Sequence, residues 1–142
     1  MADILAYNAL KYQSALRNEN KDCGVIAAAL ACRVPYEVAH AALKAHGRPD
    51  RKGTYVDKNL IPAVQSLGLK VTQVTQYLKP NGSHYTPITV VDKLSRGYYI
   101  CVTVDHLFAV VNGQVLDWVA GKKNRIIRIY QVTKPRKETG NG

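Results

Sequence analysis

Cys23 stands between Asp22 and Gly24 at the start of an apolar run, CGVIAAALAC, residues 23–32. The thiolate is the reactive form of cysteine. The first turn of a helix stabilises it with unpaired N–H groups and a partial positive charge. Gly24 puts no side chain beside the sulfur, which opens an approach for a substrate carbonyl. The plainer alternative, a small apolar core residue, fits Cys32 at the end of the run and Cys101 within a strand better than it fits Cys23. A nucleophilic thiol needs a base, usually histidine. Of the four histidines, His40 and His46 fall on a second helical segment as surface or packing residues, and His84 lies in the loop NGSHYT. His106 directly precedes LFAVV, a run suited to burial. A polar group there needs a reason, and general-base chemistry supplies one. The alternative is a partly exposed histidine at a strand end.

Asn112-Gly113 between two β-prone runs is a strong hairpin signal. With those two residues as the turn, Val111 opposes Gln114, Phe108 opposes Asp117 and His106 opposes Val119. His106 and Asp117 then become diagonal neighbours on one face, roughly 7–8 Å apart at the backbone, within reach of carboxylate and imidazole. Asp117 would orient the ring and stabilise its charged form. Leu116 and Trp118 point the other way. Asp105 is a weaker orienting group, because adjacent strand residues point to opposite faces. For the oxyanion, the Cys23 backbone N–H is one donor. Asn18, Asn20 and Gln13 precede it and offer a side-chain amide, each also readable as an ordinary polar turn residue.

The elements that position these residues follow from pattern. Asp22 is a good N-cap type for the alanine-rich helix 23–32, which is apolar on nearly all sides and therefore buried. A second helix starts at Pro35 as its first residue, runs through YEVAHAALKAH and stops at Gly47. GRPDRKGT, 47–54, is a polar loop. A third helix spans about Leu60–Leu67 and ends at Gly68, with Pro62 tolerable only near its start. KVTQVT (70–75) alternates as a strand does, and Asn81-Gly82 marks a turn. Residues 86–94 suit a short helix capped by Thr86 with Pro87 first. Segments 97–104, 106–111, 114–118 and 125–132 are β-branched and aromatic. Helices first and an antiparallel sheet after them predict an α+β domain.

The chain has 142 residues, 46% of them hydrophobic and 21% charged, as one ordinary globular domain requires. It shows no apolar run of about 20 residues for a bilayer span, and Met1–Leu10 lacks the basic start and apolar core of a secretory leader. Three cysteines without CxxC spacing speak against a disulfide scaffold or a structural zinc site, and for a reducing compartment. Walker, dinucleotide-binding and HExxH motifs are absent, and no acid pair suggests glycoside chemistry. Nine tyrosines are scattered as core and interface residues rather than as a base-stacking platform. Twenty Lys and Arg against ten Asp and Glu give +10, which favours encounters with acidic proteins or nucleic acid. Lys122, Lys123, Arg125 and Arg128 form the basic stretch, continued by Lys134, Arg136 and Lys137.

Cysteine opening a buried helix, then histidine opening a strand, then aspartate resembles the papain-like cysteine peptidases. NKDCGVIAAALA and DHLFAVVNGQVLDW look most like the compact peptidase domains of bacteriocin exporters, which carry a DCG start and a histidine before an apolar strand followed by an aspartate. They are also similar to small phage-type proteins with a DC-start helix, a PYEVAH-like helix, a GR…GT loop and a late histidine strand. The likeness spans about residues 18–132, on two short strings. It implies Cys23 as nucleophile, His106 as general base and Asp117 as orienting acid. The exporter peptidases place Gln six residues before the cysteine, where this chain has Arg17. Asn18 matches instead the Asn of the NxGNxC string of ubiquitin-specific proteases, so the oxyanion donor stays open.

The expectation is therefore a single papain-like α+β domain over 1–133, with a flexible basic and polar tail over 134–142. A buried nucleophile helix would pack on a C-terminal antiparallel sheet. The function expected is a small intracellular cysteine peptidase or related thiol hydrolase, cytoplasmic, or in the host cytoplasm if phage-encoded. It would act on a peptide or isopeptide bond of a protein or peptide substrate, acidic ones included, without cofactor, metal or membrane. The rival expectation is a catalytically silent scaffold that binds nucleic acid or an acidic host protein through its basic surface.

Overall fold

The computed structural model describes residues 8–9, 22–48, 54–74, 82–104, 106–117 and 119–134. In chain order they form α1 (Cys23–Cys32), α2 (Tyr36–Ala45), a π-helical turn (Val56–Leu60) that runs into α3 (Ile61–Ser66), β1 (Lys70–Gln73), α4 (Pro87–Lys93), β2 (Tyr98–Val102), β3 (Leu107–Val111), β4 (Gln114–Leu116) and β5 (Arg128–Thr133). The fold class is α+β. The five strands make one antiparallel sheet in the order β1-β5-β2-β3-β4.

The centre of that sheet is covered on both faces, and the alternation of β3 displays it. Leu107, Ala109 and Val111 join the core formed by α1, α2 and α3, whereas Phe108 and Val110 join a second core with Val90 and Leu94 of the α4 region. A strand buried on both sides must be apolar at every position, hence the unbroken LFAVV. α1 is buried from Gly24 to Cys32, as its all-round apolar surface requires.

Several boundaries differ from expectation, each for a local reason. Asp22 occupies the N-cap position but makes no side-chain cap. Its carboxylate is buried and accepts a 2.7 Å hydrogen bond from the Tyr36 hydroxyl instead. Pro35 is the extended residue before α2 rather than its first residue. α3 begins at Ile61, with Pro62 in its first turn. The preceding turn is wound with i→i+5 bonds, Leu60 N–H to Tyr55 O at 3.1 Å being one of them. Asn59 fixes this turn: its Oδ1 accepts from the Tyr55 N–H at 2.9 Å and its Nδ2 donates to the His46 carbonyl at 2.8 Å. β1 stops at Gln73, and Thr75 and Asn81 lie outside the described residues. β5 starts at Arg128, not 125, because the Ile126 N–H turns to Tyr85 O. Of the tail, Lys134 is described and 135–142 lie outside the described residues.

The hairpin register is the expected one: Val111 opposes Gln114, Val110 opposes Val115 and Ala109 opposes Leu116. Asn112 and Gly113 both have positive φ, 48° and 80°, the conformation a two-residue hairpin turn with matching twist demands. The ladder ends there, so Asp117 is not a strand residue.

Candidate active site

At one end of the sheet the β2–β3 connection meets the N-terminus of α1. His106 stands immediately before β3, and its carbonyl accepts the Thr103 N–H at 2.9 Å, which closes that connection. The ring stacks on Phe108, centroids 6.3 Å apart. Its Nε2 lies 2.8 Å from Asp117 Oδ2. The same carboxylate oxygen accepts the Val119 N–H at 3.2 Å, an Asx turn. That second bond ends β4 at Leu116 and aims the carboxylate at the ring. The diagonal relation inferred from the hairpin therefore brings His106 and Asp117 into contact through a turn rather than through a longer ladder.

Cys23, at the first position of α1 and half-buried, borders the same cleft as His106 and lies near enough to strengthen the ring's hold on its proton. Thiol, imidazole and carboxylate are thus brought together, with Nε2 of the ring on the Asp117 side. Burial pulls the His106 pKa down. The hydrogen bond to Asp117, its carboxylate charge and the nearby Cys23 outweigh that and lift it from 6.5 to about 9. The ring therefore holds its proton more tightly than an ordinary histidine does. Burial pushes the Cys32 thiol up to about 12, against a smaller opposing effect of Arg33, and also raises the fully buried Cys101. Neither is available as a thiolate.

Cys23 and His106 border an open cleft of about 520 Å³, and Asp117 stands behind His106, away from it. Its walls come from Thr54–Lys58, from Val102–Val104 and from Ile127 and Arg128. The expected opening beside Gly24 is filled: a Cβ there would lie 2.5 Å from Thr54 Oγ1 and 2.6 Å from Thr54 Cβ. Glycine at 24 serves this close packing, and the cleft opens instead along Tyr55 and Val104. The Thr54 hydroxyl is itself buried and has no hydrogen-bond partner among the described residues.

Asn18, Asn20 and Gln13, the amides considered for the oxyanion, lie outside the described residues, as do Asp105 and Trp118. Of the basic residues, Arg128 borders the cleft, while Lys122, Lys123 and Arg125 are exposed on the segment that leads to β5. His40 is buried and stacks on Tyr36 at 5.8 Å. Among the described residues no group of His, Cys, Asp or Glu is arranged to hold a metal ion, and no single helix is long and apolar enough to cross a membrane. Sequence reasoning missed Thr54, Tyr55, Lys58 and Val104. Their one signal was adjacency to polar loops, where functional residues concentrate. It also missed the Asp22–Tyr36 bond, whose partners are fourteen residues apart.

No family model, curated protein or solved structure matches the chain.

Proposed function

We propose that the chain is a cysteine peptidase or related thiol hydrolase of papain-like arrangement, with Cys23 as nucleophile, His106 as acid and base, and Asp117 as the group that positions His106. One observation carries this reading: the imidazole is held between a half-buried thiol at a helix start and a carboxylate 2.8 Å away, at the edge of a cleft. Buried ion pairs need partners on every side. Here the partners are those that nucleophilic catalysis requires.

The Cys23 thiolate attacks the carbonyl carbon of the scissile amide. A C–S bond forms and the carbonyl π pair moves to oxygen. N–H groups of the first turn of α1, that of Cys23 included, lack intrahelical acceptors and point toward that oxyanion. As it collapses, the C–N bond breaks and the imidazolium proton passes to the leaving nitrogen. Neutral His106 then takes a proton from a water molecule whose oxygen attacks the thioester. The C–S bond breaks, and acid, thiolate and imidazolium are restored. Asp117 keeps its charge throughout and holds the ring from its Nε2 side. An amine in place of the water gives acyl transfer by the same steps, since a triad does not fix the acceptor.

The test pairs reactivity with turnover. Native protein treated with iodoacetamide at pH 6–7 is expected to label Cys23 at least a hundredfold faster than Cys32 or Cys101, read by peptide mass spectrometry. His106→Ala is expected to bring Cys23 down to the rate of an ordinary thiol. A fluorogenic peptide library is expected to be cleaved by the wild type and not by Cys23→Ala. Equal labelling of Cys23 in wild type and His106→Ala, with no turnover, refutes the reading and leaves the silent, basic scaffold.

A further inference from the structure

We infer that the cleft selects a peptide segment in which a large apolar side chain lies next to an acidic one. The inference rests on the thiol-hydrolase reading and names its substrate class. Among the described residues four large apolar side chains are exposed: Val38, Tyr55, Ile88 and Val104. Tyr55, 71% exposed, and Val104, 87% exposed, both border the cleft that holds Cys23. Exposed apolar groups gathered at a cavity mark a place where something apolar docks. The same walls carry two cations, Lys58 and Arg128, against the one acid Asp57. Apolar and cationic parts adjoin, since Lys58 Nζ lies 5.7 Å from the centre of the Tyr55 ring. Arg128 Nη1 stands 3.7 Å from Asp57 Oδ2, with side chains 45% and 75% exposed. A pair so long and wet contributes little, so a substrate carboxylate can share or displace it. A polynucleotide fits less well, because its charge recurs at every unit while the walls beside the two cations, Tyr55, Val104 and Ile127, are apolar.

Charged alkylating agents read the field at the cleft without requiring turnover. The ratio of iodoacetate to iodoacetamide rates at Cys23 is expected to fall about tenfold in Lys58→Glu/Arg128→Glu, and to rise about twofold in Asp57→Asn. Both changes are expected to shrink in 1 M NaCl. All three residues are exposed, and circular dichroism of the variants checks the fold. Fluorogenic peptides carrying Tyr or Leu beside Glu, Gln or Lys are expected to give kcat/KM in the order Glu, Gln, Lys, and the reverse order in the double variant. An unchanged alkylation ratio across the variants, or cleavage indifferent to the charge beside the apolar residue, overturns the inference and leaves the hydrolase reading standing. A ratio that responds as stated while no peptide is cleaved supports an acid-selecting cleft and refutes the hydrolase reading. Protection of Cys23 by a single-stranded oligonucleotide and not by an acidic peptide assigns the cleft to nucleic acid and also overturns the inference.

Discussion

Replacing Asp117 by Asn removes one negative charge and keeps the side chain's shape. The carboxylate lies 2.8 Å from His106 Nε2 and 3.2 Å from the Val119 N–H, and the amide oxygen of Asn can still accept from one of them. The turn therefore survives and the charge does not. A hydrogen bond to a charged partner is worth about 1.5–3 kcal/mol, which is roughly one to two pKa units. His106, now lifted to about 9 against the pull of burial, is expected to titrate about one to two units lower in the variant. The ¹³C-edited NMR signal of its Cε1–H reads this directly. The same loss at the acid that serves the leaving group is expected to lower kcat about ten- to a hundredfold, with KM little changed, because Asp117 is not among the residues that border the cleft. If the His106 titration stays in place in Asp117→Asn, the carboxylate does not hold the proton, and the assignment of Asp117 as positioning residue is wrong even if hydrolysis is observed.

Gly24→Ala drives a methyl into Thr54 at 2.5–2.6 Å and is expected to cost about 1–3 kcal/mol by overpacking, read by denaturant unfolding, with Thr54→Gly restoring part of it. Tyr36→Phe leaves the buried Asp22 carboxylate without its 2.7 Å donor, at a cost of about 1–3 kcal/mol in the same assay; a variant as stable as wild type would show that the bond contributes nothing. Because the folded protein holds the His106 proton more tightly than the unfolded chain, its contribution is full below pH 6.5 and is lost as pH rises through about 9. Unfolding midpoints are expected to fall across that window in the wild type and to fall less in His106→Ala. The wild-type kcat is expected to decline above about pH 9 as the acid is lost.

The grouping of Cys23, His106 and Asp117 was legible in the sequence to the extent that it is local. Asn112 and Gly113 fix the hairpin because few residues adopt positive φ there. Once the hairpin is fixed, His106 and Asp117 follow by counting, eleven residues apart along the chain and adjacent in space. The run 23–32 declares its burial because it has no polar face. The meeting of Cys23 with His106 is of another kind. It joins segments eighty-odd residues apart, and no periodicity encodes it; only the demand of a thiol for a base suggested it. The end of β4 was misplaced where a side chain took over a backbone duty, Asp117 capturing the Val119 N–H, and the cap expected of Asp22 was lost in the same way to Tyr36 although α1 keeps its expected bounds. Such choices depend on which partner is near, and sequence spacing does not carry that.

The cleft walls make the same point for specificity. Tyr55 and Lys58 belong to a π-wound turn pinned by Asn59 to the end of α2, Val104 to the β2–β3 connection, and Arg128 to the start of β5. Three of them stand out in no way in their own segments, an exposed aromatic, a surface lysine and a loop valine, and Arg128 is legible only as one member of a basic stretch. They become one surface because a π-wound turn, the β2–β3 connection and the start of β5 meet at one end of the sheet, where α1 also begins. A triad can be argued from types and spacing because its chemistry restricts both. A specificity surface is restricted only in space, so its residues are free to come from anywhere that the fold brings to the rim.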